Sequence, residues 1–161
     1  MNDEWNVIDM ISQTHFQVSE KAILLDDMVT IFAKADILDN LEKLLPFFTK
    51  QIPIHFAYEE IMIDELKTTN LNQHEHNMID EILNEHNKLA NKFDKMSGLI
   101  EKTEKVNSNL KEEFIELVND LIEMLPKHAE KEDRLLFPLA QRKLNNKQKE
   151  GIELKISRSS F

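Results

Sequence analysis

Four long stretches of the chain place apolar residues at intervals of three and four, the spacing that lines one face of an α-helix. The first, about residues 6–33, carries Ile8, Ile11, Val18, Ala22 and Leu25. The second, about 37–67, carries Leu41, Leu45, Phe48, Ile52, Phe56, Ile63 and Leu66. The third, about 71–103, has Ile79, Ile82, Leu89, Phe93 and Met96, and the fourth, about 110–144, has Phe114, Leu117, Leu121, Leu125, Leu135 and Leu139. Short polar connectors separate them, with Asp36, Asn70 and Asn109 as candidate N-caps. Short connectors make consecutive helices antiparallel neighbours, so the pattern predicts an all-α, up-down-up-down four-helix bundle, each helix about 45 Å long. One domain is expected over residues 1–161, closed by a short amphipathic helix at about 146–157 that uses Ile152 and Ile156. Pro46, Pro53 and Pro126 fall inside helical pattern, which predicts local kinks or breaks in the second and fourth helices.

Composition narrows the chemistry. With 2 Gly in 161 residues there is no material for a glycine-rich phosphate loop or a dinucleotide fingerprint. Cysteine is absent, which removes disulfides, thiol nucleophiles, thiolate zinc sites and cysteine-bound iron–sulfur clusters, and leaves His and carboxylates to hold any metal. A net charge of −10 opposes binding to nucleic acid or anionic membranes. No apolar run approaches the roughly 18 residues of a membrane span, and no leader is apparent, so the expected location is the cytoplasm.

Each apolar stripe is interrupted by a histidine: His15, His55, His86 and His128. Glu59 and Glu132 follow His55 and His128 by four residues, one turn along the same inward face. Left without partners in a bundle core, such groups would each cost several kcal/mol, about 2–7 for a polar group and more for a charge. A lone histidine on an apolar face is ordinarily a hydrogen-bonded core residue. Here, however, the heights agree. The midpoints between successive histidines fall at residue 35, between residues 70 and 71, and at residue 107, each in a polar connector. In an up-down bundle, residues equidistant from a turn lie side by side, so all four histidines belong to one layer. His74 and His76, by contrast, lie roughly 15 to 18 Å from that layer at helical rise.

The arrangement is repeated within the chain. Residues 53–60 and 126–133 share the pattern P-x-H-x-x-x-E-[ED], offset by 73 positions, while His15 and His86 are offset by 71. The layer is therefore pseudo-twofold, with one His and one His-x-x-x-Glu from each helical hairpin. Glu60 and Asp133 point off the stripe, as solvated groups or as partners to the inner residues, and Tyr58, Phe16 and Phe56 are candidate walls. Four imidazoles and two carboxylates exceed the needs of one tetrahedral zinc and suit a pair of six-coordinate ions. Bridging by Glu59 and Glu132 would offset the repulsion between the ions. Two histidines per ion and a solvent-derived oxo or hydroxo bridge would still leave each ion an open position. Donor softness admits iron, manganese or zinc, and a redox-capable pair with open positions favours two irons.

These residues resemble the hemerythrin-like, or HHE, family of four-helix di-iron proteins. The resemblance rests on His15, on His55-Phe-Ala-Tyr-Glu59-Glu60, on His86, and on His128-Ala-Glu-Lys-Glu132-Asp133 with the following Leu136-Phe137-Pro138-Leu139, and spans nearly the whole chain. It implies a non-haem di-iron centre that binds or reacts with O2, NO or peroxide, with His15, His55, His86 and His128 as terminal ligands and Glu59 and Glu132 as bridges. Oxygen-carrying members have a further histidine four residues from the third-helix ligand, whereas Ile82 and Ala90 occupy those positions here. The site is thus more similar to the four-His, two-Glu centre of iron–sulfur cluster repair proteins made under nitrosative and oxidative stress. Those often carry a cysteine-bearing N-terminal domain, and the lack of cysteine argues against thiol-assisted iron delivery.

The leading expectation is a di-iron protein that binds, senses or reacts with O2 or NO. A peroxide- or NO-consuming redox enzyme would additionally need an electron donor, such as a redox partner protein. An iron donor for cluster repair would release its iron readily. A metal-free helical interaction module would tolerate loss of Glu59 and Glu132.

Overall fold

A computed structural model describes residues 5–30, 37–102 and 108–159. All regular structure among them is helical. Helix α1 spans Asn6–Thr30. Helices α2 (Ile37–Pro46) and α3 (Ile52–Leu66) are joined without interruption by a wider π-helical turn, Phe47–Gln51. Helix α4 covers Gln73–Lys102 and α5 covers Ser108–Lys131. A second π-helical turn, Glu132–Leu136, leads into α6 (Phe137–Lys143), and α7 (Asn146–Arg158) ends the described chain. No helix among the described residues is long and apolar enough to cross a membrane.

Two apolar clusters show how the chain is threaded. One gathers Val18 and Leu25 of α1 with Phe48 and Ile52, with Leu89 and Phe93 of α4, and with Phe114 and Leu121 of α5. The other gathers Ile8 and Ile11 of α1, Met62 and Leu66 of α3, Ile79 and Ile82 of α4, and Leu136, Phe137 and Leu139 beyond α5. Successive helical rods cross from one cluster to the other in alternate directions, which is the expected up-down-up-down bundle. Helix α7 lies against α3 and inserts Ile152 into the second cluster, where Ile156 also packs. Its start is fixed by a reciprocal cap, Gln148 N–H donating to Asn145 Oδ1 at 2.8 Å and Asn145 N–H to Gln148 Oε1 at 2.9 Å. Trp5 Nε1 ties α1 to α7 by donating to Glu153 Oε1 at 2.8 Å.

Several details differ from the sequence expectation. Helix α4 is capped by Asn72 rather than Asn70, because Asn72 forms a reciprocal box with Glu75. Asn70 instead offers its carbonyl to Lys143 Nζ at 2.9 Å. The expected caps Asp36 and Asn109 lie outside the residues whose side chains are described. Pro126 neither breaks nor ends α5. The irregularities are two π turns, one in the second helix between Pro46 and Pro53 as expected and one before Pro138, each ending two residues before its following proline and closed by Ile52 N–H to Phe47 O and Phe137 N–H to Glu132 O. Proline has no N–H for the regular i→i−4 bond, and a widened turn just before it absorbs that loss. The extra residue also advances the helix phase. Leu135, placed on the inward stripe by a regular period, is 47% exposed, and Leu136, Phe137 and Ala140 are buried instead.

Leu121 is fully buried in the first cluster, away from the polar layer between the two. Leu121→Ala is expected to cost about 2–5 kcal/mol in urea denaturation. A loss below about 1 kcal/mol would show that the cluster is not close-packed there.

Candidate metal centre

The gap between the two apolar clusters is filled by six side chains. His15 follows Ile11 of one cluster and precedes Val18 of the other, and His86 stands between Ile82 and Leu89 in the same way. His55 and Glu59 bridge the interval from Ile52 to Met62, and His128 and Glu132 that from Leu125 to Leu136. All six are buried, and both glutamates have no exposed surface. Every one of the sequence-identified ligand candidates is therefore brought to one layer, while His74 and His76 lie exposed at the start of α4.

The layer resolves into two groups, His15, His55, Glu59 and Glu132 in one and Glu59, His86, His128 and Glu132 in the other. In each, one ligand atom per residue lies within 4.8 Å of all the others, and each group could hold a metal ion. Both glutamates belong to both groups. His55 Nε2 is 3.0 Å from Glu59 Oε1, and His128 Nε2 is 3.0 Å from Glu132 Oε1, the one-turn spacing of each His-x-x-x-Glu pair. Across the bundle, His15 Nε2 lies 3.2 Å from Glu132 Oε1, and His86 Nε2 is 3.4 Å from both Glu59 Oε1 and Glu132 Oε2.

Close approach here is not the same as satisfaction. Both carboxylate oxygens of Glu59, Oε1 of Glu132 and both ring nitrogens of His128 are buried without a well-directed hydrogen-bond partner. His15 Nε2 and His55 Nε2 face each other at 3.0 Å, an attractive contact only if one carries a proton. Buried polar atoms are ordinarily paired, and orphans concentrated at one point call for a missing partner. A divalent cation accepts lone pairs from imidazole and carboxylate together, so this donor set fits the ions that the sequence implied.

The outer partners reinforce the fit. Asp133 Oδ1 accepts from His15 Nδ1 at 2.9 Å, and Glu60 Oε1 accepts from His86 Nδ1 at 3.2 Å. A carboxylate can only accept, so the Nδ1 proton is fixed outward and Nε2 faces the centre, the tautomer a metal-binding histidine needs. These are the eighth positions of the two repeats, about half exposed yet engaged with the inner residues. His128 Nδ1 faces Glu85 Oε2 at 3.7 Å. Glu85 was invisible to the sequence reading because it lies off every apolar stripe, although its place beside His86 could have flagged it.

Aromatic walls close the layer. Phe56 stacks on His86 with ring centroids 4.1 Å apart, as expected. Phe16, by contrast, is 70% exposed and walls nothing. Tyr58 packs instead against the second apolar cluster. The wall on the His15 side is Phe137, stacked at 5.5 Å and carried inward by the π turn that precedes it.

Electrostatics follow from the burial. Burial works against the charged form of His15, but the hydrogen bond to Asp133 and the close carboxylates of Glu132 and Glu59 outweigh it and push its pKa up to about 11. His86 behaves alike, with burial opposed by Glu132 and Glu59, and is raised to about 10. For Glu59, burial favours the neutral acid, but the charge of His55 and the contacts with Glu132, His15 and His55 hold the carboxyl well below its ordinary range. Without a cation, protons take the cation's place.

The family model of the hemerythrin HHE cation binding domain matches residues 6–140. No curated protein and no solved structure matches the chain significantly.

These shifts fix how the metal-free protein responds to pH. His15 and His86 bind protons more tightly when folded, so their contribution is complete below the ordinary value of 6.5 and is lost as pH rises toward about 11 and about 10. Glu59 contributes above its ordinary 4.5 and loses that contribution as pH falls through its depressed value. Denaturation of chelator-stripped protein should therefore show stability declining as pH rises above 6.5, and zinc added in weak buffer should release protons. Stability that climbs into the alkaline range would contradict this charge arrangement.

Proposed function

The chain belongs to the hemerythrin HHE cation-binding family, and from that membership we propose that it is a non-haem di-iron protein that binds, senses or reacts with O2, NO or a related reactive species. His15 and His55 would hold one ion and His86 and His128 the other, with Glu59 and Glu132 available to both. The observation that carries this reading is the sharing of both fully buried glutamates between two four-residue ligand groups. A mononuclear site would use one such group and leave the other two imidazoles in the core without a purpose.

Two irons so held supply reversible one-electron changes and open positions for a small ligand. The residues around them do the rest. Asp133 and Glu60 hold the Nδ1 protons of His15 and His86, which orients both rings and raises their donor strength. Phe137 and Phe56 cover those rings and keep water from their faces. The apolar clusters on either side make the interior favourable for neutral diatomic ligands over hydrated anions.

Metal analysis of protein purified without chelator, with the visible spectrum recorded before and after dithionite and then air, tests the reading. About two irons per chain, with near-ultraviolet bands that bleach on reduction and return in air, is the expected result. Less than about 0.2 metal per chain and no uptake of anaerobic Fe(II) would overturn it. Turnover of peroxide or NO with a supplied reductant would place the protein among enzymes rather than carriers or sensors. Glu59→Leu should abolish stable metal binding and also destabilise the metal-free protein, by about 3 kcal/mol at neutral pH, because the protonated imidazoles around it lose their counter-charge.

A further inference from the structure

The outer carboxylates treat the four histidines unequally. Asp133 and Glu60 hold His15 and His86 at 2.9 and 3.2 Å. The corresponding group for His128 is Glu85, only 17% exposed, yet its Oε2 stops 3.7 Å from Nδ1 and leaves that nitrogen without a hydrogen bond. The cause is in view. Lys131 Nζ, one turn along from His128, donates to Glu85 Oε1 at 2.6 Å and to the same Oε2 at 3.0 Å, and also reaches Glu81. Glu85 is drawn toward the ammonium and away from the imidazole. A cavity of about 200 Å³, lined by Glu85, Leu89, Met124, Lys127, His128 and Lys131, lies beside them and gives the carboxylate room to move.

We infer that Lys131 is a positioning residue that withholds Glu85 from His128 and thereby weakens His128 as a metal donor and the metal position it serves. The inference rests on the proposed two-ion site. A histidine that donates Nδ1–H to a carboxylate is the stronger donor at Nε2, and loss of such a partner typically lowers metal affinity by about 10–100-fold. His128 is held in the unassisted state by a competing cation, while His86 in the same ligand group has its full partner in Glu60.

Imidazole NMR of metal-free protein and calorimetric titration with Zn(II) test this together. In Lys131→Met a slowly exchanging, downfield Nδ1 proton should appear on His128, and the zinc-binding step that His128→Ala removes should tighten by about tenfold. Adding Glu85→Leu, which removes the acceptor, should cancel both effects. Lys127→Met removes an equal charge from the same cavity, where Lys127 pairs with Glu123 and not with Glu85. It should leave the His128-dependent step unchanged within about twofold. Equal tightening in Lys127→Met and Lys131→Met, or tightening of both steps at once, would reduce Lys131 to a general charge effect and overturn the inference, as would the absence of the new His128 proton. Failure of the parent protein to bind zinc would instead overturn the two-ion site itself, and this inference with it.

Discussion

Two carboxylates with no exposed surface, Glu59 and Glu132, set the terms for the rest of the molecule. A negative charge in an apolar interior must be neutralised, and the chain surrounds the pair with four imidazoles rather than with lysine or arginine. Imidazole is the one side chain that can neutralise a carboxylate in either of two ways, by carrying a proton or by sharing a metal ion with it. The raised affinities of His15 and His86 for protons, and the depressed pKa of Glu59, are the proton-carrying form of that bargain. The orphaned atoms of Glu59, Glu132 and His128 show that protons settle it incompletely.

The apolar clusters carry the stability that this layer consumes. They lie above and below it, and every main rod of the bundle contributes to both, so the polar layer is clamped from two sides by close-packed Leu, Ile and Phe. The clamp fixes the heights of the ligands, and the π turns fix their surroundings. The turn at Glu132–Leu136 begins on a candidate ligand and rotates the following residues so that Phe137 covers His15. Proline supports both wide turns from the C-terminal side, at Pro53 and at Pro138.

Much of this was legible in the sequence for a simple reason. Helical period and turn position are both one-dimensional, so the stripes and the histidine midpoints could be read without coordinates, and all six inner residues meet where those midpoints place them. What escaped was whatever changes the period or lies outside it. A π turn adds one residue, and its only mark is a proline two residues on, a mark that Pro126 bears with no such turn before it, so Leu135 was assigned the place that Leu136 and Phe137 take. Phe16 sits next to His15 in sequence, but one residue is a 100° rotation, enough to carry it into solvent. Glu85 and Lys131 read as ordinary surface charges, because a side chain that reaches inward from the edge of a stripe has the same local pattern as one that points away.

Glu60 belongs to the first hairpin and serves His86 of the second, and Asp133 belongs to the second and serves His15 of the first. That exchange has the form of an isologous contact, in which each half offers the other the same patch it receives. The four helices therefore behave as a two-fold dimer of hairpins that happens to be covalently joined, and neither hairpin contains a finished site. Each ligand group draws on both glutamates, one from each half, so docking of the hairpins and completion of the centre are a single event.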